Sequence, residues 1–297
     1  MIPPEVVEGA LGRRLGRPVA IRSRRPLSGG CIGVVERIDT DAGPFVLKSK
    51  AGAPVELFQA EAAGLEALAS ADSGLVVPRI VVPPDAVETA AGVMPFFVID
   101  YLPHGERNSS FDERLGRALA ALHRTRSDRY GFTCDTWCGA TRQANAWTDS
   151  WITFYGANRL TPQIAAARAA GLLDASEARD LDAIVNRLDE LLVEPSEGPA
   201  LIHGDLWSGN VLVADGGRPA VLDPAAAYAH REVEFGMSSL FGGISSPAMA
   251  AYDEAWPLDP EWQERQPLYQ LYHLLNHLNL FGRGYHDAVM QIARRYR

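Results

Sequence analysis

Three oxygen-bearing side chains in the second half of the chain have the types and spacing for one reaction. The stretch His203-Gly-Asp-Leu-Trp-Ser-Gly-Asn210 sets a carboxylate, Asp205, five positions before a carboxamide, Asn210, and a second carboxylate, Asp223, follows thirteen positions later. Between Asn210 and Asp223 lie two short β runs, 211–213 and 220–222, parted by Asp-Gly-Gly, which is a turn signal. A hairpin there folds Asp223 back toward Asp205 and Asn210. Phosphoryl transfer from ATP asks for such a set. One carboxylate accepts the proton of an incoming hydroxyl, while the carboxamide and the second carboxylate hold Mg²⁺ on the phosphates. Mg²⁺ keeps several of its waters, so one or two protein oxygens suffice. On this reading Asp205 is the base, and Asn210 and Asp223 are the metal ligands.

The pattern resembles the protein-kinase catalytic loop and its following metal Asp, with Asp-Pro-Ala in place of Asp-Phe-Gly. Such a loop needs a partner that grips the nucleotide. After a short amphipathic helix at 3–16, the periodicity predicts strands at 19–27, 32–38 and 45–48. Between the first two strands lies Leu27-Ser-Gly-Gly-Cys-Ile-Gly33. Its glycines let the backbone come close to phosphate oxygens, so Ser28, Gly29, Gly30 and Cys31 are candidate ATP contacts. Lys48 shares strand parity with Val46 and is expected to face inward. In the helix that follows, Leu57, Glu61, Leu65 and Leu68 fall on one stripe. A carboxylate on an apolar face needs a cation, and a Lys48–Glu61 pair would leave the ammonium beside the phosphates. Strands at 75–82 and 96–102, around a loop at 83–95, complete a five-stranded antiparallel sheet with one helix. At the crossing to the rest of the chain, the carbonyl of Asp100 and the N–H of Leu102 are positioned to read an adenine.

From position 111 the chain reads as mostly helical. Helices are expected at 111–125, 147–170, 176–192, 237–241 and 260–281, the last with Leu268, Leu271, Leu275, Leu278 and Phe281 on its core stripe. His123 reads as a packing or hydrogen-bonding residue. His273 and His277 lack the intervening glutamate of a metalloprotease helix and read as structural. The division expected is an ATP-binding lobe at 1–101 and a catalytic, substrate-binding lobe at 102–297.

Composition narrows the partners. A net charge of −9 argues against nucleic acid as the main partner. No apolar run is long enough to span a membrane, and Met-Ile-Pro-Pro-Glu at the start lacks a signal-peptide pattern, so a cytoplasmic location is expected. Three cysteines do not make a disulfide framework, and Cys134-x₃-Cys138 lacks a second ligand pair for zinc.

Several separated stretches resemble the fructosamine kinase (ketosamine-3-kinase) family. They are Ser28-Gly-Gly-Cys-Ile, Phe58-Gln-Ala-Glu-Ala-Ala-Gly-Leu-Glu-Ala-Leu68, Cys138-Gly-Ala-Thr-Arg-Gln-Ala-Asn-Ala-Trp147 and the His203–Asn210 stretch. Asp223-Pro-Ala, Tyr228-Ala-His-Arg-Glu232, Leu240-Phe-Gly-Gly243 and the Leu268–Asn279 segment add to it. The resemblance implies an α+β, two-lobed protein-kinase-like fold with ATP and Mg²⁺ in the cleft. The implied reaction phosphorylates the 3-hydroxyl of a ketosamine, a sugar adduct of fructose, ribulose or erythrulose on an amine, in deglycation repair. Carried over by position, Asp205 resembles the base, Asn210 and Asp223 the metal ligands, and Lys48 and Glu61 the ATP-positioning pair. His203 and Glu234 would support the loop, although Glu-Phe-Gly-Met stands where Asp-Leu-Ala-Met is more usual. Trp207 offers a flat face for a sugar-derived substrate, or else packs as a core residue. Cys31 reads either as a small apolar residue or as a redox switch acting through a homodimer. The alternatives are a kinase of the aminoglycoside or choline type and a catalytically silent nucleotide-binding regulator.

Overall fold

The computed structural model describes residues 1–27, 33–89 and 92–296. Its N-terminal part is an antiparallel sheet of β1 (Ile21–Pro26), β2 (Val34–Thr40), β3 (Gly43–Ser49), β4 (Ile80–Thr89) and β5 (Gly92–Asp100), in the order β1-β2-β3-β5-β4. Helix α1 (Pro4–Leu15) covers one face and α2 (Glu56–Ser70) the other. The alternation of the two central strands decides what each helix meets. Phe45 and Leu47 of β3, with Phe96 and Val98 of β5, join Val7 and Leu11 of α1. Val46, Phe97 and Ile99 point the other way and join Leu57, Phe58 and Leu65 of α2. Each such buried side chain contributes roughly 1.5–3 kcal/mol. Lys48, two residues from Val46, faces α2 as its parity predicts and is 4% exposed.

The loop expected at 83–95 is for the most part strand. Pro83 and Pro84 fall inside a register shift between Val82 and Asp85. They lie on the outermost strand, where a missing N–H breaks no ladder. The strand expected at 75–82 begins only at Ile80, because Val76 bridges to Ala220 instead.

The remainder is mostly helical: α3 (Phe111–His123), α4 (Trp151–Tyr155), α5 (Thr161–Ala169), α6 (Ala175–Val185), α7 (Leu188–Leu191), α8 (Glu234–Phe241), α9 (Ser246–Ala255), α10 (Trp262–Phe281) and α11 (His286–Tyr296). Three antiparallel strand pairs sit among them: β6 (Thr136–Cys138) with β7 (Thr141–Gln143), β8 (Ala200–Ile202) with β11 (Ala227–Ala229), and β9 (Val211–Ala214) with β10 (Arg218–Val221). The helix expected at 147–170 starts at Trp151, where the Ser150 hydroxyl accepts the Thr153 N–H, and a π turn at Gly156–Leu160 divides it. The helix expected at 176–192 breaks after Val185. Phe281, expected on the core stripe of α10, is 61% exposed, whereas Leu268, Leu271, Leu275 and Leu278 are buried. Among the described residues no helix is long and apolar enough to cross a membrane.

Candidate active site

The loop at 203–210 leaves β8 and enters β9, and two interactions hold its start. Glu234, fully buried at the head of α8, accepts the N–H of His203 at 2.5 Å and that of Gly204 at 3.0 Å. His123 Nε2 lies 3.5 Å from the same Glu234 oxygen that takes the His203 N–H, and its Nδ1 pairs with the Tyr252 hydroxyl at 2.8 Å. Burial opposes the Glu234 charge, but His123, His203 and the backbone bonds outweigh it, and its pKa falls below the ordinary value. His203 bonds the Leu222 carbonyl through Nε2 at 2.8 Å, and its Nδ1 accepts the Asp205 N–H at 3.3 Å. Burial lowers the pKa of that imidazole, against the pull of Glu234. Together these contacts tie the loop to the end of β10, so the hairpin and the loop are positioned as one body.

Asp205 and Asn210 then face the cleft. The Asn210 amide donates to the Asp205 carbonyl at 2.8 Å and to Asp205 Oδ2 at 3.3 Å. The Cys138 thiol approaches Asp205 Oδ1 at 3.7 Å. Burial, followed by the charge of Asp223, raises the Asp205 pKa to about 7. Asp223 closes the hairpin in a left-handed conformation (φ 54°), a region Asp tolerates better than most side chains.

Lys48 joins the two halves. Its ammonium donates to Glu61 and, at 2.6 Å, to Asp223 Oδ1. Burial works against the lysine charge, but Asp223 and Glu61 outweigh it and raise its pKa. The sequence stripe of α2 explains how Glu61 gets there. Gly64, one turn on, lies against Pro224, and a Cβ at that position would stand 2.9 Å from the proline ring. The absent side chain lets α2 dock beside Asp223.

Two connected clefts share Lys48 and Asp223. One is lined by Leu57, Phe58, Trp137, Gly139, Asp205, Trp207 and Asn210. The other, walled by Leu27, Val35, Val46, Ile99, Leu212 and Leu222, reaches Asp100, Tyr101 and Leu102. Its apolar walls suit a flat heterocycle, and the two backbone positions singled out from the sequence, Asp100 and Leu102, lie on it. Trp207 is half-buried and folded over Gly209, where a Cβ would stand 2.4 Å from the indole. Ser28, Gly29, Gly30 and Cys31 lie outside the described residues, and the expected dimer through Cys31 lies there with them.

The structure therefore brings Lys48, Glu61, Asp205, Asn210 and Asp223 together, with His203 and Glu234 behind them. Sequence reasoning missed Trp137, which the β6–β7 hairpin delivers to the cleft, and Cys138, which it delivers to Asp205 from behind the wall. The signal was present in the 138–147 stretch, whose polar residues clamp that hairpin. Gln143 bonds the Tyr272 hydroxyl at 2.7 Å, and Asn145 accepts from buried Arg159 at 2.7 Å. His273 and His277 belong to the packing of α10, with His277 Nδ1 bonded to the His273 carbonyl at 2.8 Å.

A family model described as Fructosamine kinase matches residues 5–296. A probable ketoamine kinase of Synechocystis is 37% identical over 98% of this chain and 96% of its own length. A chloroplastic protein-ribulosamine 3-kinase of Arabidopsis thaliana is 35% identical over 95% of this chain and 84% of its own. Among solved structures, a putative fructosamine-3-kinase from Haemophilus somnus superposes with a TM-score of 0.86 at 25% identity, covering 98% of this chain and 96% of that one.

Proposed function

The chain belongs to the fructosamine kinase family, whose members are ATP-dependent phosphotransferases, and from that premise we propose that it phosphorylates the 3-hydroxyl of a ketosamine. The observation that carries the proposal is Asp205. It is a carboxylate without a cationic partner among the described residues, raised toward neutrality, facing a cleft opposite the pair of buried Lys48 and half-buried Asp223. A base with a pKa near the working pH is well matched to taking a proton from a sugar hydroxyl. In this scheme Asp205 orients and deprotonates the acceptor. Lys48, held by Glu61, grips the nucleotide phosphates. The apolar cleft with Asp100 and Leu102 takes the adenine, and Trp207 lies against the sugar. The natural division follows the cleft, with residues 1–101 binding nucleotide and 102–297 supplying the base and the acceptor site.

The donor set fits Mg²⁺. Asn210 spends its N–H on Asp205, which leaves its carbonyl oxygen for a metal, and Asp223 has a second carboxylate oxygen beyond the one that Lys48 holds. Two hard oxygens match an ion that takes its remaining ligands from phosphate and water. When bound, it would neutralise charge on the phosphoryl group.

The test is ATP consumption with Mg²⁺ against ribulose-lysine, fructose-lysine, erythrulose-lysine, kanamycin and choline, with Asp205→Ala as the control. Turnover on the ketosamines alone, absent in the control, is the expected outcome and ranks the sugars. Turnover only on kanamycin or choline would replace the acceptor while leaving the phosphotransfer reading in place.

A further inference from the structure

Cys138 is buried behind the cleft wall, between the lining residues Trp137 and Gly139, and has no part in the scheme above. It ends β6, is 2% exposed, and its sulfur has two polar neighbours. Asp205 Oδ1 lies at 3.7 Å and Asn276 Nδ2 at 3.4 Å. The chemistry of those neighbours fixes the direction of both bonds. An amide N–H only donates, so Asn276 donates to the sulfur; an ionised carboxylate only accepts, so in the state in which Asp205 can take a proton the thiol hydrogen turns to it. The amide of Asn276 is itself held in place. Its oxygen takes the Thr141 hydroxyl, and its nitrogen also donates to the Cys138 carbonyl at 3.3 Å. Asn276 is 1% exposed on α10, a helix packed into the core.

We propose that Cys138 and Asn276 are positioning residues for Asp205, forming a one-way chain of hydrogen bonds, Thr141 to Asn276 to Cys138 to Asp205. The chain pins one oxygen of the carboxylate while Asn210 contacts the other, so the plane of the base is fixed before an acceptor arrives. The inference rests on the reading of Asp205 as the base. A thiol suits the task because it is a weak donor. It orients the carboxylate without drawing away much of its electron density, so the base keeps its affinity for a proton. Burial, and then the Asp205 charge, push the Cys138 pKa well above that of an ordinary thiol, so the hydrogen stays on sulfur.

The experiment compares the steady-state kinetics of C138S, C138A, C138V and the pair C138A/N276A with those of wild type and Asp205→Asn. Thermal unfolding of each variant shows whether it is folded. C138A and C138V, which remove the donor at smaller and slightly larger volume, are expected to lower kcat about tenfold with the KM for ATP unchanged. C138S, which keeps a donor, is expected to retain most of kcat. In the C138A background, N276A is expected to add little further loss of kcat, because the two residues act through one bond. A kcat for folded C138A or C138V within twofold of wild type, alongside an inactive Asp205→Asn, would overturn the inference and leave the base in place. C138S as slow as C138A would overturn it too. An active Asp205→Asn would instead remove the reading of the base on which the inference stands.

Discussion

Behind the 203–210 loop, Glu234 receives two backbone N–H groups at 2.5 and 3.0 Å with His123 at its flank, and its pKa drops. In front of the same loop, Asp205 is offered a thiol at 3.7 Å and an amide at 3.3 Å, faces the like charge of Asp223, and its pKa climbs to about 7. Glu234 is fully buried and Asp205 only half-buried at the cleft, so burial alone would raise Glu234 the more and does not explain the contrast. The strength and number of donors do, together with the sign of the nearest charge. One environment lowers the proton affinity of a carboxylate that serves as a fastener. The other keeps its carboxylate ready to change state. On the proposed reading of Asp205, the loop thus has an inert face and a reactive face a few residues apart.

That contrast can be broken from either side. The largest effect is expected at the front, where Asp205→Asn should lower kcat about 10³-fold, within the range for a lost general base. Nucleotide affinity, read by calorimetry, should stay within a few-fold of wild type, because Lys48 and the apolar cleft are untouched. An equal loss of nucleotide binding would place Asp205 among the phosphate contacts instead. At the back, Glu234→Ala leaves two loop N–H groups without their acceptor and should cost about 3 kcal/mol in urea unfolding. A variant that unfolds like wild type but turns over slowly would move Glu234 from fastener to reactive face.

Titration sharpens the same comparison with the smallest perturbation. In the nucleotide-free protein the Asp205 carboxyl, followed by ¹³C NMR, should titrate near 7. Replacing Asp223 by Asn should lower that value, since it removes the like charge that helps to raise it. Glu234 has a depressed folded pKa. Its contribution to stability is therefore fully present above the unfolded carboxylate value of about 4.3 and disappears only as pH falls through the lower folded one. Acidification from neutrality should accordingly protonate Asp205 well before Glu234 stops contributing to stability. Stability lost in step with the protonation of Asp205 would mean that the two carboxylates are not separate devices.

Much of this geometry is legible in the sequence because it is written locally. The hairpin at 211–221 announces itself by two β runs about a Gly-Gly turn, the inward Lys48 by strand parity, and Glu61 by a helical stripe. What stayed hidden depends on contacts that no short window contains. Cys138 meets Asp205 across 67 positions, and Gly64 matters only because Pro224 lies against it. Prolines misled the reading of 83–95, since a bulged edge strand accepts residues that a central strand would refuse. Phe281 keeps the spacing of the α10 core stripe yet lies past the end of the packed face, beside His277 and Tyr285. Periodicity gives the direction in which a side chain points. It does not say where the neighbouring surface stops.

The β9–β10 hairpin also has a mechanical consequence. The backbone of Val76, just before β4, exchanges bonds with it at 2.8 and 3.0 Å, and Gly105, just after β5, donates to Val213 at 2.8 Å. The connection from α2 into β4 and the crossing that leaves β5 are therefore both bolted to the hairpin that precedes Asp223. Any rocking of the sheet must turn about those two bolts, and displacement grows with distance from them. Asp223, two residues beyond the bolted Val221, lies close to the fulcrum with Lys48 tied to it at 2.6 Å, while β1, at the sheet edge opposite β4, rides farthest out on the lever. The carboxylate assigned to the metal is thus mounted where a closing motion would disturb it least.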